Sequence, residues 1–150
     1  MIPTTKAYAT SKVTPAHSRA EVEDLLSKFK ITKTMWMRED PNVSYFVFEK
    51  PFDGVKQPLA YKVSVPFIEK MVGQGGNRHQ EYDEVRAYRF FFHIFKAGML
   101  NFDIGMEFEQ IFGNYLIVDK LADGTPLSIQ DKVCQNLVEG KAPALALIES

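Results

Sequence analysis

The sequence predicts an α+β fold: an N-terminal helix, a three-stranded antiparallel meander, a long helix packed on the sheet, and two shorter C-terminal helices. Three observations predict it. A helix-start signal precedes an apolar stripe, three strand-like segments follow with short turns between them, and apolar residues then recur at helical spacing over residues 85–102. A chain of 150 residues is long enough to bury its own core, so we expect one domain spanning residues 1–150.

Composition and charge exclude several classes of protein. With 45% hydrophobic and 25% charged residues, the chain is neither disordered nor collagen-like, and its single cysteine excludes a disulfide scaffold. A net charge of −1 argues against a globally basic nucleic-acid coat, although it is compatible with a local basic patch. The lone thiol and the lack of a long apolar segment predict a cytoplasmic protein with no membrane partner.

The first predicted helix follows a lead-in without periodicity. Residues 1–16 are expected to be flexible and extended. Ser18 and Glu21 match a capping box, in which each side chain satisfies the other residue's backbone N–H at a helix start. An apolar stripe at helical spacing comes next, formed by Val22, Leu25, Leu26 and Phe29. We therefore expect a helix over residues 18–29.

Three strand-like segments follow this helix. They are Ile31–Arg38, the aromatic and β-branched Val43–Glu49, and the alternating Leu59–Val65. Short turns separate the segments, which favours an antiparallel meander. Residues 67–72 are then expected to add a helical turn, and the glycine-rich residues 73–77 a flexible linker rather than an anion-binding loop.

The strongest helical pattern spans residues 78–103. Its apolar residues step by three and four: Val85, Tyr88, Phe92, Phe95, Met99 and Phe102. Gly98 lies inside the pattern and indicates either a close packing contact or a kink. We expect this helix to pack on the sheet.

Shorter elements complete the predicted fold. We expect a helix over residues 106–112, a short strand at Tyr115–Val118, and a last helix over residues 127–138. The tail at residues 140–150 carries an apolar Ala-Leu-Ala-Leu-Ile segment.

The order of these features resembles a family of small uncharacterised proteins from phages, prophages and mobile elements. The likeness covers roughly residues 2–132. It includes the Ile2-Pro3 start, the Ser-Arg-Ala-Glu-Val-Glu-Asp-Leu-Leu helix, the Gln80-Glu81 start of the long helix, and the Asp123-Gly124-Thr125 turn. This chain has fewer arginines early in the long helix than the family pattern. The resemblance implies a phage-type origin and supplies no activity.

A basic stripe on the long helix is the candidate binding site. Arg86, Arg89, His93 and Lys96 step by three and four and therefore share one helix face. Tyr82 and His79 are expected to extend the line. Cations with aromatic neighbours suit a phosphate backbone and stacked bases. The stripe is also compatible with an ordinary solvated helix face or with an acidic protein partner.

Aromatic residues in the predicted sheet form a second feature. Trp36, Tyr61 and the residues of Val43–Glu49 place aromatic rings on both faces. Some single-strand-binding sheets use such rings as stacking platforms. Helices covering the faces, or two chains packed together, explain the same pattern.

Catalytic and metal-binding patterns are weak. His79 and Asp83 lie one helical turn apart, with Glu81 or His17 as further donors, but no recognised metal motif includes them. Cys134 is expected to be a small buried hydrophobe rather than a nucleophile. We therefore expect no enzymatic activity, no metal, no cofactor and no small-molecule substrate.

Two functional hypotheses remain. The first is a non-enzymatic phage-type accessory protein that binds nucleic acid through the basic stripe. The alternative is a protein-interaction module, either a homo-oligomer or an inhibitor or adaptor of a host protein. This alternative would use the apolar tail and the C-terminal third, where acidic residues outnumber basic ones.

Overall fold

The computed structural model describes residues 1–140 and confirms the predicted α+β architecture. Its elements are α1 (Pro15–Ser27), β1 (Lys33–Asp40), β2 (Val43–Lys50), β3 (Leu59–Ser64), β4 (Glu69–Val72), β5 (His79–Tyr82), α2 (Glu84–Asp103), α3 (Phe108–Phe112), β6 (Ile117–Lys120), β7 (Pro126–Ser128) and α4 (Ile129–Val138). Strands β1, β2 and β3 form an antiparallel sheet in that order. The β4–β5 and β6–β7 pairs form separate hairpins.

Helix α1 begins earlier than predicted. The Thr14 hydroxyl accepts a hydrogen bond from the His17 N–H at 3.2 Å, and Pro15 occupies the first helical position, where its fixed φ suits a helix. Ser18 is buried one turn inside the helix. The predicted Ser18–Glu21 capping box is therefore wrong, because a proline-led cap lies upstream of it.

One face of the sheet carries the aromatic core. Phe46 lies between Trp36 of β1 and Val63 of β3. Phe91 and Phe95 of α2 pack on this face, with the Phe95 ring centroid 5.6 Å from that of Phe46. These contacts confirm that the long helix covers the sheet.

The segment before α2 forms a β-hairpin, so the helical turn predicted for residues 67–72 is wrong. Strand β4 pairs antiparallel with β5, and residues 73–78 connect them. Gly73 has φ +92°, and a Cβ there would lie 2.6 Å from the Asn77 carbonyl oxygen, so this turn requires glycine. The Asp83 carboxylate caps α2 by accepting from the Arg86 N–H at 3.2 Å. The predicted helix start at residue 78 is therefore wrong.

Gly98 permits close packing between α2 and α3. A Cβ at this position would lie 2.8 Å from Phe112 Cζ and 3.2 Å from Ile111 Cγ2. Of the two predicted roles for Gly98, the structure therefore shows the close contact.

The C-terminal elements lie beside β3. Leu116 forms an isolated antiparallel bridge with Tyr61, and its carbonyl accepts from the Ile129 N–H at 3.0 Å. The predicted strand at 115–118 is found as β6, shifted by two residues, and the last helix begins two residues later than predicted. The apolar segment of the tail lies outside the described residues.

Candidate functional site

Arg86, in the predicted basic stripe, points into the fold. Its side chain is buried, with Nε donating to the Ala7 carbonyl at 2.8 Å and Nη2 to the Thr5 carbonyl at 2.6 Å. The guanidinium also lies over the Phe90 ring, 5.6 Å from its centroid. Arg86 therefore holds the lead-in, which was expected to be flexible, against α2.

Arg89 joins α2 to α1. Its Nη2 donates to Glu21 Oε2 at 2.8 Å, and its Nη1 lies 3.5 Å from Glu21 Oε1. The guanidinium carbon stacks over the Phe92 ring at 4.3 Å. The hydrogen bond from Arg89 is the main reason that the pKa of the Glu21 carboxyl is lowered. Because Arg89 is buried and paired, it is not presented to a phosphate backbone.

His93 packs against the lead-in. Its ring stacks on Tyr8 with a centroid distance of 4.6 Å and an interplanar angle of 4°. Burial is the main cause that lowers the pKa of His93, and the charges of Arg89 and Lys96 lower it further. The imidazole is therefore predominantly neutral at pH 7. Lys96 is exposed, which leaves one stripe cation on α2 facing solvent.

His79 and Tyr82 do not extend the stripe along a helix, because both lie on β5. His79 is exposed, and its ring nitrogens lie 3.0 Å from the Asn77 carbonyl and 2.8 Å from Glu81 Oε1. The backbone hydrogen bond is the first cause that raises the pKa of His79. Tyr82 stacks on Phe67, and burial raises its pKa to about 12. The six predicted residues therefore do not form one continuous surface.

The predicted aromatic platform is covered on its helix-facing side. Phe46, Phe48 and Tyr61 are fully buried beneath the helices. The Trp36 indole N–H donates to Glu23 Oε1 of α1 at 2.9 Å. No ring of this set is free to stack on a base.

The opposite face of the sheet holds a buried cation. Lys62 Nζ donates to Asp131 Oδ2 and to the Pro126 carbonyl, each at 3.1 Å, and lies over the Tyr45 ring. Burial raises the pKa of Asp131, but hydrogen bonds from Ser128 and Lys62 outweigh it and lower the pKa below its usual value. Asp131, an acidic residue of the C-terminal third, therefore forms an ion pair within the fold.

Glu109, an exposed residue of α3, is a second carboxylate of that third that pairs with a residue of β3. It accepts a hydrogen bond from the Tyr61 hydroxyl. Burial and this contact raise the pKa of Tyr61. Asp131 and Glu109 therefore each join a C-terminal element to β3.

A groove between α1 and the C-terminal half of α2 was not predicted as a site. Its volume is about 410 Å³, and its lining combines apolar and charged side chains: Leu25, Lys28, Phe29, Lys96, Met99, Leu100 and Asp103. A second depression of about 350 Å³ shares Leu25, Lys28 and Lys96 with it and also includes Glu21, Asp24 and Phe92. The two lysines therefore line both parts of an elongated groove, whereas the carboxylates of Glu21, Asp24 and Asp103 each line only one part, and Glu21 is paired with Arg89.

The position of Leu100 outside the core stripe is the feature of the sequence that marks this groove, and the sequence prediction did not use it. It is 60% exposed, and Ile104, one turn further along, is 75% exposed. Neither residue belongs to the apolar stripe that faces the core. Leu100 lines the groove and Ile104 is the C-cap of α2, so the two extend the exposed apolar surface at this end of the helix.

Candidate groups for catalysis or metal binding do not converge. Within residues 1–140, no group of three His, Cys, Asp or Glu residues is arranged to hold a metal ion. Cys134 is exposed, so the expectation of a buried cysteine is wrong. No described helix has both the length and the apolar character that a bilayer span requires.

Comparison of the chain with models of protein families, with curated proteins and with solved structures returned no match.

Proposed function

We propose that the chain is a non-enzymatic protein-interaction module that binds an amphipathic helical segment of another protein in the groove between α1 and α2. The observation that carries this proposal is the exposed apolar groove itself. Leu25, Phe29 and Leu100 offer apolar surface there, while Lys28 and Lys96 lie at its centre. The phage-type origin stays an expectation that nothing in the structure tests.

The shape of the groove favours a helix as the ligand. The two depressions share three residues and so form one elongated channel along the α1–α2 boundary. An amphipathic helix places apolar side chains at intervals of three and four residues, which matches an elongated apolar groove. Lys28 and Lys96 favour an acidic residue in the middle of the bound segment.

The nucleic-acid hypothesis has less support than it had from the sequence. The guanidinium groups of Arg86 and Arg89 donate hydrogen bonds within the fold, to Thr5, Ala7 and Glu21. Binding a phosphate would require each buried guanidinium to break these hydrogen bonds and leave the fold. Nucleic-acid binding stays a prediction, and the experiments that test the groove also measure it.

The test is a selection of displayed random peptides on the folded protein, followed by fluorescence-anisotropy titration of the enriched peptides. We expect enriched peptides with helically spaced apolar residues and a central acidic residue. Leu100→Asp should weaken their binding by about ten-fold or more, because it places a charge in the apolar groove. Ile94→Asp is the matched control, since Ile94 is exposed on the same helix but does not line the groove.

The contribution of the two groove lysines to peptide binding is tested separately. Lys28→Glu together with Lys96→Glu should weaken the same peptides, whereas Lys70→Glu on the exposed surface of β4 should not. Labelled single-stranded DNA, duplex DNA and RNA form the second arm, titrated at several salt concentrations. Peptides that bind equally well to wild type and Leu100→Asp would overturn the proposal. Salt-dependent nucleic-acid binding without groove-dependent peptide binding would favour the nucleic-acid hypothesis instead.

A further inference from the structure

Strand β1 is an open edge of the three-stranded sheet. It pairs with β2 on one side, and none of the backbone hydrogen bonds described for residues 1–140 reaches its other side. The opposite edge differs, because Leu116 bridges to Tyr61 of β3 and the C-terminal hairpin lies beside it. An unpaired edge presents a row of N–H and C=O groups to another strand.

The length and composition of β1 set it apart from the other open strands. Strand β1 has eight residues, whereas β4 and β6 have four each. Both short strands carry a charged pair, Glu69-Lys70 and Asp119-Lys120, of the kind that discourages edge pairing. Strand β1 also carries charges, but they lie toward its ends, at Lys33 and at Arg38–Asp40 beside a β-bulge, and its centre, Met35–Met37, carries none. The edge is therefore long and unprotected at its middle.

The side chains on the outer face of β1 form a self-complementary row. Lys33, Met35 and Met37 alternate with residues that face the helices. Glu39 lies at a β-bulge between Arg38 and Asp40 and reaches the same outer face, where its carboxylate is 3.9 Å from Lys62 Nζ. Met35 and Met37 are 49% and 38% exposed. The row therefore reads basic, apolar, apolar, acidic.

This row fits a second copy of itself in antiparallel orientation. If two β1 strands pair about Trp36, Lys33 faces Glu39 of the other copy and Met35 faces its Met37. Each opposed pair is thereby apolar with apolar or basic with acidic, and both outer faces stay on the same side of the extended sheet. Parallel pairing in register would instead place like charges together. The charge pattern thus selects a second copy, in one orientation.

We propose that the protein forms a two-fold symmetric homodimer through antiparallel pairing of β1 with β1 of a second copy, centred on Trp36. The dimer extends the sheet to six strands, with β3 at both outer edges. It uses a different surface from the α1–α2 groove and does not depend on the function proposed for that groove.

The test is sedimentation velocity over a broad concentration series, with a charge swap. Wild type should shift with concentration from 17.1 kDa toward twice that mass. Lys33→Glu and Glu39→Lys should each weaken dimerisation by roughly ten-fold, because each places like charges opposite one another twice per dimer. The Lys33→Glu/Glu39→Lys double variant should recover it. Lys56→Glu, on an exposed loop, is the matched control.

Folding and dimerisation are separated by two further measurements. Lys33 also contacts Glu49 at 3.1 Å, and Glu39 lies 3.9 Å from Lys62, so thermal unfolding of each variant is recorded alongside. Met37→Lys supplies a second variant that places a charge at the unprotected centre of the edge. The chain has one tryptophan, so Trp36 emission should change with concentration in wild type and stay constant in Met37→Lys.

Two results would overturn the proposal. One is a wild-type protein that stays monomeric at every concentration. The other is a dimer whose dissociation is unchanged by Lys33→Glu, Glu39→Lys and Met37→Lys, which would place the interface elsewhere.

Discussion

The two halves of α2 carry apolar residues in similar numbers, yet the fold places their basic side chains in opposite environments. In the N-terminal half, Arg86, Arg89 and His93 are covered by the lead-in and α1. In the C-terminal half, Lys96 and Leu100 face solvent beside a groove. A series of basic residues in a sequence therefore predicts where positive charge lies along a helix, but it does not predict whether that charge is exposed to solvent. Which half serves binding depends on what covers it.

The largest expected effect concerns the pair between Arg89 and Glu21. Arg89→Ala should lower the free energy of unfolding by about 2–3 kcal/mol, somewhat less than a fully buried pair because Glu21 is partly exposed. Lys96→Ala, on the same stripe, should change it by less than about 0.5 kcal/mol. Urea titrations of the two variants make the comparison. Equal effects would mean that the two halves of α2 are not distinguished by burial.

The next effect concerns the anchoring of the lead-in. Arg86→Gln should cost about 1.5–2 kcal/mol, because it removes charged hydrogen bonds to the Thr5 and Ala7 carbonyls. Limited proteolysis should then cut the lead-in faster than in wild type. If cleavage and stability are both unchanged, the contact does not hold the lead-in.

These two variants also change how a test of nucleic-acid binding must be designed. Reversing the charges of Arg86 and Arg89 together would place two buried acids where two cations are paired, so we expect it to unfold the protein. Loss of nucleic-acid binding in that double variant would report folding. Exposed cations such as Lys28 and Lys96 are the proper positions for such a test.

A smaller change in the free energy of unfolding is expected at Gly98, where the C-terminal half of α2 packs closely on α3. Gly98→Ala gains helix propensity of about 1 kcal/mol, but its Cβ would lie 2.8 Å from Phe112 Cζ. We expect the clash to outweigh the gain and to lower the free energy of unfolding by about 1 kcal/mol. Thermal unfolding measures it. A stabilised Gly98→Ala would show that Phe112 moves aside without cost.

The smallest effect is the titration of His93. The folded pKa lies below the ordinary value of 6.5, so the unfolded chain binds the proton more tightly. Stability from this group is therefore present above pH 6.5 and is lost as the pH falls through the folded pKa. Tyr8→Ala removes the stacked ring and should move the pKa back up toward 6.5. An NMR titration of the imidazole protons tests this, and an unchanged pKa would show that Tyr8 does not bury His93.

Local patterns predicted most of the fold. The three strand segments and the apolar stripe of α2 follow directly from alternation and helical spacing, and both lie where they were expected. The β4–β5 hairpin was missed because residues 67–72 fit a helical turn as well as a strand, and only pairing with His79–Tyr82 decides between them. Short segments of this kind depend on long-range contacts that spacing does not reveal.

The candidate site was harder to predict than the fold. The burial of Arg86 depends on contacts with Ala7 and Thr5, which lie 79 and 81 residues earlier in the sequence. Nothing in the helical pattern of α2 indicates that an irregular lead-in would cover its basic face. The groove likewise requires two helices to lie side by side, and only Leu100, outside the core stripe, marks it in the sequence.

The decisive measurement of groove binding is an NMR titration of the ¹⁵N-labelled protein with a selected peptide. We expect the amide signals that shift to cluster at residues 25–29 and 96–104, which flank the groove, and Leu100→Asp to abolish these shifts. Shifts that cluster instead on β1, on the β4–β5 hairpin or near residues 79–89, and that persist in Leu100→Asp, would contradict groove binding.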